Sequence, residues 1–219
     1  MADPGPVEPG SIVLLGPPAS GKGTQGRLLA ELWGLDYLST GKQLRRELKT
    51  GSPLGKQAEP YLETGQYVPD ELVLALALEW IKRAEDGWIL DGFPRTLPQA
   101  TELDVFLRAQ KENMGALLLE VPGSELQQRV AERRECTSCP WTGTRTQAKA
   151  SGRCPLCEGE LGQRQDDDPE NFRMRLQAFE ELTSPVADYY ESSQRLHRVS
   201  GAGTPEDVFQ RITAQFNLQ

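Results

Sequence analysis

The fold is decided by residues 11–25, which read SIVLLGPPASGKGTQ. Their first six residues form a short apolar run that ends in glycine, a pattern typical of a buried parallel strand. A helical pattern follows the next loop and ends at Gly34, because a glycine often closes a helix. On that helix Leu28, Leu29 and Leu32 share one stripe, and we expect this stripe to face the core.

The loop between this strand and this helix is suited to binding phosphate. Gly16 and Gly21 permit tight backbone geometry, and the loop amides together with the helix N-terminus favour an anion. Lys22 can reach the outer phosphates as a point charge. The strict pattern has Ser or Thr directly after the lysine, whereas here Gly23 intervenes and Thr24 follows. A plain Gly/Pro turn is the alternative, and the succession of strand, loop, lysine and helix argues against it.

Strands and helices alternate along the rest of the chain. Further strands are predicted over 35–38, 88–92, 115–121 and 195–200. Further helices are predicted over 41–49, 55–64, 70–85, 97–112, 123–134, 168–191 and 205–217. The long helix 168–191 has Leu176, Phe179 and Leu182 on one side. The alternation predicts an α/β fold, in which helices cover both faces of a parallel sheet.

Composition limits the classes of function. The 219 residues carry 24 Lys and Arg against 32 Asp and Glu, a net charge of −8, so the basic footprint of a general nucleic-acid binder is missing. The longest apolar run, residues 72–78, is far shorter than the ~18 residues of a membrane span. Residues 1–10 lack the features of a signal peptide and are predicted to be a flexible tail. We therefore expect a cytoplasmic protein that binds neither nucleic acid nor membrane.

Four cysteines lie close together in the sequence: Cys136, Cys139, Cys154 and Cys157. Two Cys-x2-Cys pairs, separated by fourteen residues, can supply four thiolates to one tetrahedral Zn²⁺. Four protein ligands leave no open position on the metal, so we expect a structural ion. It would stabilise residues 135–165, which have too few large aliphatic side chains to build a core. Two disulfides are the alternative, and a reducing cytosol disfavours them.

Several motifs, met in order along the chain, resemble the adenylate kinase family. The loop GPPASGKGTQ has the GKGT form usual in that family, and Ser39-Thr40-Gly41 with Arg45 resembles its nucleoside-monophosphate (NMP) segment. Residues 65–70, GQYVPD, resemble the hinge after that segment. Residues 91–96, DGFPRT, together with Gln99 are similar to the family signature. The residues that resemble the two ends of the family's lid are Arg129, Arg133, Arg134, Arg164, Asp166, Asp167 and Arg175.

The resemblance implies a three-layer P-loop fold with a central parallel sheet of about five strands. It also implies a helical NMP-binding insertion, residues 39–68, and a zinc-binding lid, residues 129–168. The core nucleotide-binding domain would comprise residues 11–38, 69–128 and 169–219. The implied reaction is reversible Mg²⁺-dependent phosphoryl transfer, ATP + AMP = 2 ADP, carried out by a monomer in adenine nucleotide homeostasis.

The resemblance also implies roles for single residues. ATP would be held by Ala19, Ser20, Gly21, Lys22, Gly23, Thr24, Arg129, Arg133, Thr142, Gly143 and Gly203. AMP would be held by Thr40, Arg45, Gln66, Tyr67, Val68, Gly92, Phe93, Pro94, Arg95, Gln99, Arg164 and Arg175. The catalytic residues would be Lys22, Arg95, Arg133, Arg164 and Arg175, since phosphoryl transfer needs alignment and charge neutralisation. Asp91 would hold Mg²⁺ through water, and Gln99 would read the adenine edge.

Three residues depart from the family's usual pattern. Lys42 stands where the family usually has Asp after Ser-Thr-Gly, which reverses a charge beside the expected AMP pocket. Ala19 replaces a common glycine of the phosphate loop. Gly203 lies near the expected adenine of ATP, where a longer side chain is common, and a backbone carbonyl can serve there.

Three other functions stay open at this point. A kinase of another NMP, or one that prefers GTP, would keep the fold, although Thr40, Gln99 and DGFPRT favour AMP. A nucleotide-sensing protein without turnover would keep the pockets, but the intact lysine and arginines argue against it. A nucleic-acid-binding zinc ribbon is disfavoured, because residues 135–165 carry a charge of only about +1.

Overall fold

The computed structural model describes residues 10–139, 141–164 and 167–216, and the statements below concern these residues. Its strands are β1 (Ile12–Leu15), β2 (Asp36–Ser39), β3 (Trp88–Asp91), β4 (Gly115–Glu120), β5 (Arg133–Cys136), β6 (Thr142–Thr144), β7 (Leu161–Gly162) and β8 (Leu196–Ser200). Five of them form one parallel sheet in the order β2-β3-β1-β4-β8. The other three form a small antiparallel sheet in the order β6-β5-β7.

Strand β1 lies at the centre of the large sheet, and all four of its residues are buried. Successive side chains of a strand point to opposite faces of the sheet. Accordingly Ile12 and Leu14 belong to one buried cluster, and Val13 and Leu15 belong to another. The sheet thus has an apolar core on each face, as the short apolar runs of the sequence require.

The helices are α1 (Lys22–Trp33), α2 (Thr40–Lys49), α3 (Pro53–Glu63), α4 (Asp70–Ile81), α5 (Leu97–Gln110), α6 (Gly123–Glu132), α7 (Pro169–Ala178), α8 (Ser184–Ser192) and α9 (Pro205–Gln215). Helices α1 and α9 contribute to one core, and α4, α5 and α8 contribute to the other. This arrangement of helix, parallel sheet and helix confirms the predicted fold class.

Side-chain caps fix where several helices begin. Ser52, Thr96, Asp168 and Thr204 each accept a hydrogen bond from a backbone N–H in the first turn of the helix that follows. Each of these four helices also has proline in its first two positions, where the fixed φ of proline suits a helix start. At the other end of α1, Gly34 adopts a left-handed conformation with φ 68°, as expected for a closing glycine.

The predicted buried face of α1 is wrong. Leu28 and Leu32 are 37% and 50% exposed, because α1 packs on the sheet through Gln25, Gly26, Leu29 and Ala30 instead. Small residues let this helix approach closely: a Cβ on Gly26 would lie 2.5 Å from the Tyr37 ring.

The predicted unbroken helix 168–191 is also corrected. It is divided into α7, a π-helical turn at Phe179–Thr183, and α8. A π-turn inserts one residue per turn and so rotates the helix beyond it. In this turn Leu182 is 43% exposed, while the next residue, Thr183, is buried.

The four cysteines belong to the segment that forms the small sheet, within residues 133–162, and helices α2 and α3 fall within residues 39–68. The division of the chain into a core, an NMP segment and a lid at the stated residues stays a prediction. Among the helices described, none is both long enough and apolar enough to cross a membrane.

The two leucines on α1 provide a matched test of the corrected packing. Leu29 is fully buried, so Leu29→Ala should lower the free energy of unfolding by about 2–5 kcal/mol. Leu32 is 50% exposed, so Leu32→Ala should change it by only about 0.5 kcal/mol or less. Urea unfolding of both variants measures the difference, and equal losses would contradict the orientation of α1.

Candidate functional site

A cleft opens beside the carboxyl ends of β1 and β3, where ligands of open parallel sheets bind. Its volume is about 370 Å³, within the ordinary range for small-molecule sites. Of the charged residues described along its wall, nine are cationic and one, Asp91, is acidic. The cations are Lys22, Arg27, Lys42, Arg45, Arg95, Arg129, Arg133, Arg164 and Arg175. Such a wall concentrates anions although the whole chain is acidic.

The loop between β1 and α1 forms one side of the cleft. Its backbone turns through left-handed conformations at Ala19, with φ 66°, and at Gly21, with φ 97°. A non-glycine residue with positive φ is uncommon, and Ala19 is the loop's departure from glycine noted above. Lys22 lies in the first turn of α1, and its Nζ donates to Gly16 O at 2.6 Å and Pro17 O at 2.8 Å. The loop is thus wrapped around the lysine.

The environment of Lys22 opposes its charge. Burial is the largest cause and lowers the pKa of the Lys22 ammonium from 10.5 to about 7. The Asp91 carboxylate acts in the other direction, while Arg95 and Arg175 lower this pKa further. An anion in the cleft would therefore meet a lysine whose charge it can stabilise.

Asp91 ends β3 and faces the cleft. Its Oδ2 accepts a hydrogen bond from the Tyr37 hydroxyl at 2.8 Å, and together with burial this raises the pKa of Tyr37. Next along the chain, Gly92 O accepts from Thr40 Oγ1 at 2.9 Å, so the start of α2 is tied to the end of β3. The carboxylate thus stands where the loop, β2 and α2 meet.

Acidic side chains hold several of the arginines. Asp167 is 5% exposed and pairs with two of them: Arg133 Nε donates to its Oδ2 at 2.7 Å, and Arg175 Nη1 lies 3.5 Å from its Oδ1. Glu135 pairs with Arg164. Asp166, which the sequence analysis placed beside Asp167, lies outside the described residues.

Arg129 is held mainly by backbone oxygens instead. Its guanidinium donates to Gly201 O at 2.7 Å and to Gly203 O at 3.2 Å, and it also pairs with Glu125 on α6. Arg129 is therefore docked against the glycine-rich turn after β8, at the end of the cleft beyond the phosphate loop.

A second, smaller cavity of about 40 Å³ adjoins the cleft. The two cavities share Arg45, Arg95 and Arg175 in their walls. The site therefore has two compartments with a cationic boundary between them, an arrangement that can bring together two anionic ligands.

Gln99 lines the smaller cavity, and its amide is already engaged there. It is 2% exposed; its Oε1 accepts from Arg95 N at 2.7 Å, and its Nε2 donates to Asp70 Oδ1 at 2.8 Å. An amide oxygen has a second lone pair and an amide nitrogen has a second hydrogen. One acceptor and one donor therefore remain for a ligand.

The predicted residues converge on these two cavities. Every residue of the predicted ATP set lines the larger cleft. From the predicted AMP set, the smaller cavity is lined by Thr40, Arg45, Gln66, Tyr67, Val68, Gly92, Arg95, Gln99 and Arg175. Pro94 and Arg164 line the cleft instead. Phe93 lines neither cavity, because its side chain is fully buried in the apolar core.

The four cysteine sulfurs form a compact group. All lie within 4.8 Å of one another, with Sγ–Sγ distances of 3.4 Å for Cys136–Cys157 and 3.6 Å for Cys139–Cys154. These distances exceed the ~2.05 Å of a disulfide bond, so the thiols are free. A tetrahedron of Zn–S bonds of ~2.3 Å puts its sulfurs about 3.8 Å apart. The donor set and its spacing therefore fit one tetrahedral metal ion.

Comparison with known proteins agrees with this geometry. The family model described as "Adenylate kinase" matches residues 14–195. A protein named adenylate kinase from Syntrophobacter fumaroxidans is 42% identical over 210 residues, which cover 93% of this chain and 98% of the relative. The chain belongs to the adenylate kinase family. An adenylate kinase from Thermodesulfovibrio yellowstonii is 40% identical over 93% of this chain and 97% of its own length. One from Methanothrix thermoacetophila is 38% identical, over 93% of this chain and 96% of its own length.

Sequence reasoning missed several residues of this family member's site. In the sequence, Glu135 contributes only to the net charge of residues 135–165, yet in the structure it pairs with Arg164. Thr183 was not singled out, yet its Oγ1 donates to Arg95 O at 2.9 Å and lies 3.0 Å from the Tyr67 hydroxyl. The Tyr67 ring in turn lies 4.7 Å from the Arg95 guanidinium. The π-turn that places Thr183 leaves no clear pattern in the sequence.

The environment of Lys22 leads to a prediction about its titration. In the protein without nucleotide, the Lys22 ammonium should lose its proton near pH 7, because burial disfavours the charge. The folded protein then binds fewer protons than the unfolded chain between pH 7 and 10.5, so this group adds stability as pH rises through that range. With ADP bound, phosphate charge should move the titration to higher pH.

NMR of protein with isotope-labelled lysine side chains measures this directly, and Lys22→Met identifies the signal by its loss. A Lys22 signal that titrates near pH 10.5 without nucleotide, or that ADP does not move, would contradict the account.

Proposed function

We propose that this protein is an adenylate kinase that catalyses the reversible reaction ATP + AMP = 2 ADP in adenine nucleotide homeostasis. The observation that carries the proposal is the pair of cavities joined by Arg45, Arg95 and Arg175. Two nucleotides that meet with their phosphates head-on bring several negative charges together, and arginines between them neutralise and align those charges. Family membership and the names of the relatives support the same reaction class.

The donor nucleotide is proposed to occupy the larger cleft. The loop amides of residues 19–24 and the N-terminus of α1 would bind its phosphates, with Lys22 on the outer ones. Arg129 and the turn at Gly203 would lie near the base, and Arg133 and Arg164 would reach the transferred group. A phosphate there replaces the carbonyl oxygens that now surround Lys22.

The acceptor AMP is proposed to occupy the smaller cavity. Arg45 and Arg95 would bind its phosphate, while Thr40 and residues 66–68 would enclose the nucleoside. The remaining donor and acceptor of Gln99 match the N6 amino group and N1 of adenine, whereas guanine presents the opposite pattern. This complementarity favours AMP over GMP.

Two segments are proposed to close over the core: the NMP segment, residues 39–68, and the lid, residues 129–168. Closure would bring Arg133 and Arg164 to the phosphates and exclude water, which competes with AMP as the phosphoryl acceptor. Contacts between the two segments support this: Lys42 Nζ donates to Thr142 Oγ1 at 3.3 Å, and Lys49 Nζ to Thr137 O at 3.5 Å.

Two metal ions are part of the proposal. Mg²⁺ would accompany the nucleotide, and Asp91, an oxygen ligand at the cleft wall, would hold it through water. When bound, Mg²⁺ would neutralise part of the charge of the phosphates. Zn²⁺ would be held by the four cysteines as a structural ion of the lid. We further propose that the protein acts as a cytoplasmic monomer whose partners are ATP, AMP and ADP, without nucleic acid or membrane.

The first test measures ADP formation from Mg·ATP with AMP, GMP, CMP and UMP offered in parallel. We expect turnover with AMP and at least about tenfold less with GMP and UMP, because their base edges present the opposite pattern to the one that the Gln99 amide matches. CMP presents the same pattern as AMP, and we expect less turnover with it because its single ring makes fewer contacts in the cavity. A preference for another monophosphate would keep the mechanism and overturn the Gln99 assignment. Binding without turnover of any acceptor would favour a nucleotide sensor.

A matched pair of variants shows that turnover arises in this cleft and not from a contaminating kinase. Arg164→Lys keeps the charge but loses the planar fork, so kcat should fall by about 100-fold or more. Arg153→Lys makes the same exchange at an exposed arginine that donates to Glu158 O, outside the cleft, and should leave kcat unchanged. Equal activity of the two variants would contradict the proposed role of Arg164.

Removal of the lid metal should unfold the lid and leave the large sheet folded. We expect about one Zn²⁺ per chain, and we expect Cys154→Ser to lose it, because three thiolates bind more weakly than four. Metal analysis and thermal unfolding measure both effects, and the activity should fall with the metal. Ser138→Ala, in the other Cys-x2-Cys pair and at a position that is not a metal ligand, is the control. Full metal content in Cys154→Ser would contradict the site.

A further inference from the structure

A chain of hydrogen bonds runs from the first turn of α2 to Arg164. Lys42 Nζ donates to Thr142 Oγ1 at 3.3 Å, and Thr142 Oγ1 donates to Glu135 Oε1 at 3.2 Å. The same Glu135 oxygen accepts from Arg164 Nη2. Lys42 belongs to the NMP segment, and the other three residues belong to the lid. The chain of contacts therefore crosses the cleft between the two.

The small sheet of the lid fixes the geometry of this chain. Glu135 on β5 lies directly opposite Thr142 on β6 and opposite Gly162 on β7, and Arg164 follows Gly162 by two residues. On the other side of the cleft, Lys42 follows Thr40, whose hydroxyl donates to Gly92 O. Backbone ladders in the lid, and the tie between the start of α2 and the residue after β3, thus support the two ends of this chain of contacts.

Cationic side chains surround Glu135, an acid beside a cleft built for phosphate. Arg164 pairs with it, and Thr142, which donates to it, accepts from Lys42. Lys42 itself lines the larger cleft, next to Gly41, which lines both cavities.

We propose that Glu135 is a positioning residue that orients Arg164, and that Lys42, through Thr142, makes this orientation depend on contact between the NMP segment and the lid. The inference rests on the proposed function, in which Arg164 reaches the transferred phosphoryl group. With the lid away from α2, Lys42 no longer donates to Thr142, and Glu135 keeps only its partners within the lid, Thr142 and Arg164. Arg164 is then fully aligned only when both segments are closed. Binding of AMP at the acceptor site therefore promotes the alignment of Arg164 at the donor site.

Kinetics of single and double variants test this coupling. Glu135→Gln should lower kcat by about tenfold or more, because a small misplacement of an aligning group is costly. Lys42→Met should lower kcat about three- to tenfold, and KM for ATP and AMP should change less than about twofold in both variants. Since both residues act through Arg164, the double variant should be no slower than Glu135→Gln alone.

Two controls isolate the chain of contacts. Lys49→Met removes the same charge from the same helix at an exposed residue that also reaches the lid, through Thr137 O, and should leave kcat within about twofold of wild type. Thr142→Val removes the connecting hydroxyl and should act as Lys42→Met does, whereas Thr142→Ser restores the link and should restore kcat. Thermal unfolding and metal content show whether each variant is folded.

Several results would overturn the inference. Additive losses in the double variant would mean that Lys42 and Glu135 act separately. An effect of Lys42→Met on KM for AMP alone would make Lys42 a simple phosphate ligand. Equal losses of kcat in Lys42→Met and Lys49→Met would mean that the loss comes from removing a positive charge from α2 and not from the contact between Lys42 and Thr142.

A readout independent of turnover separates this inference from the proposed function. Fluorescent labels at the exposed positions Glu59 on α3 and Ala150 in the lid report the distance between the segments in single molecules. With ADP present, Lys42→Met should lower the population with short distances, and Lys49→Met should not. If the wild type shows no turnover but this shift occurs, the proposed function fails and the coupling stands; no shift overturns the coupling.

Discussion

Cationic side chains packed into one cleft repel one another, and this repulsion is the constraint on which the rest of the structure depends. Acidic side chains that pair with the cations offset this repulsion. Asp167 lies between Arg133 and Arg175, and Glu135 pairs with Arg164. Lys22 is surrounded by carbonyl oxygens of its own loop. Each of these partners balances the charge of a cation in the absence of phosphate. The cleft is therefore organised before a nucleotide binds.

The fold supplies the positions from which these groups converge. A parallel sheet brings the loop after β1 and the acid that ends β3 to one edge. The π-turn between α7 and α8 then places Thr183 against the backbone of Arg95, in the wall of the larger cleft. Site residues from distant parts of the chain are therefore supported by buried elements, while the two segments that carry Lys42 and Arg164 meet across the opening.

Much of this could be predicted from the sequence, because the signals are local. The apolar run before the loop, the capping residues before helices and the paired Cys-x2-Cys motifs each reflect chemistry within a few residues. The buried face of α1 could not be read from its leucines, because Gly26 and Ala30 allow close packing that larger side chains prevent. The π-turn and the role of Glu135 depend on contacts between distant segments, and periodicity carries no information about these.

The central claim is that one cleft aligns the phosphates of two nucleotides between a shared set of cations. Calorimetric titration with a bisubstrate analogue, two adenosines joined by five phosphates, tests it most directly. The account predicts one analogue per chain, bound at least about 100-fold more tightly than ATP or AMP alone, because one molecule would satisfy both compartments. Binding no tighter than that of ATP, with AMP still able to bind beside the analogue, would contradict it.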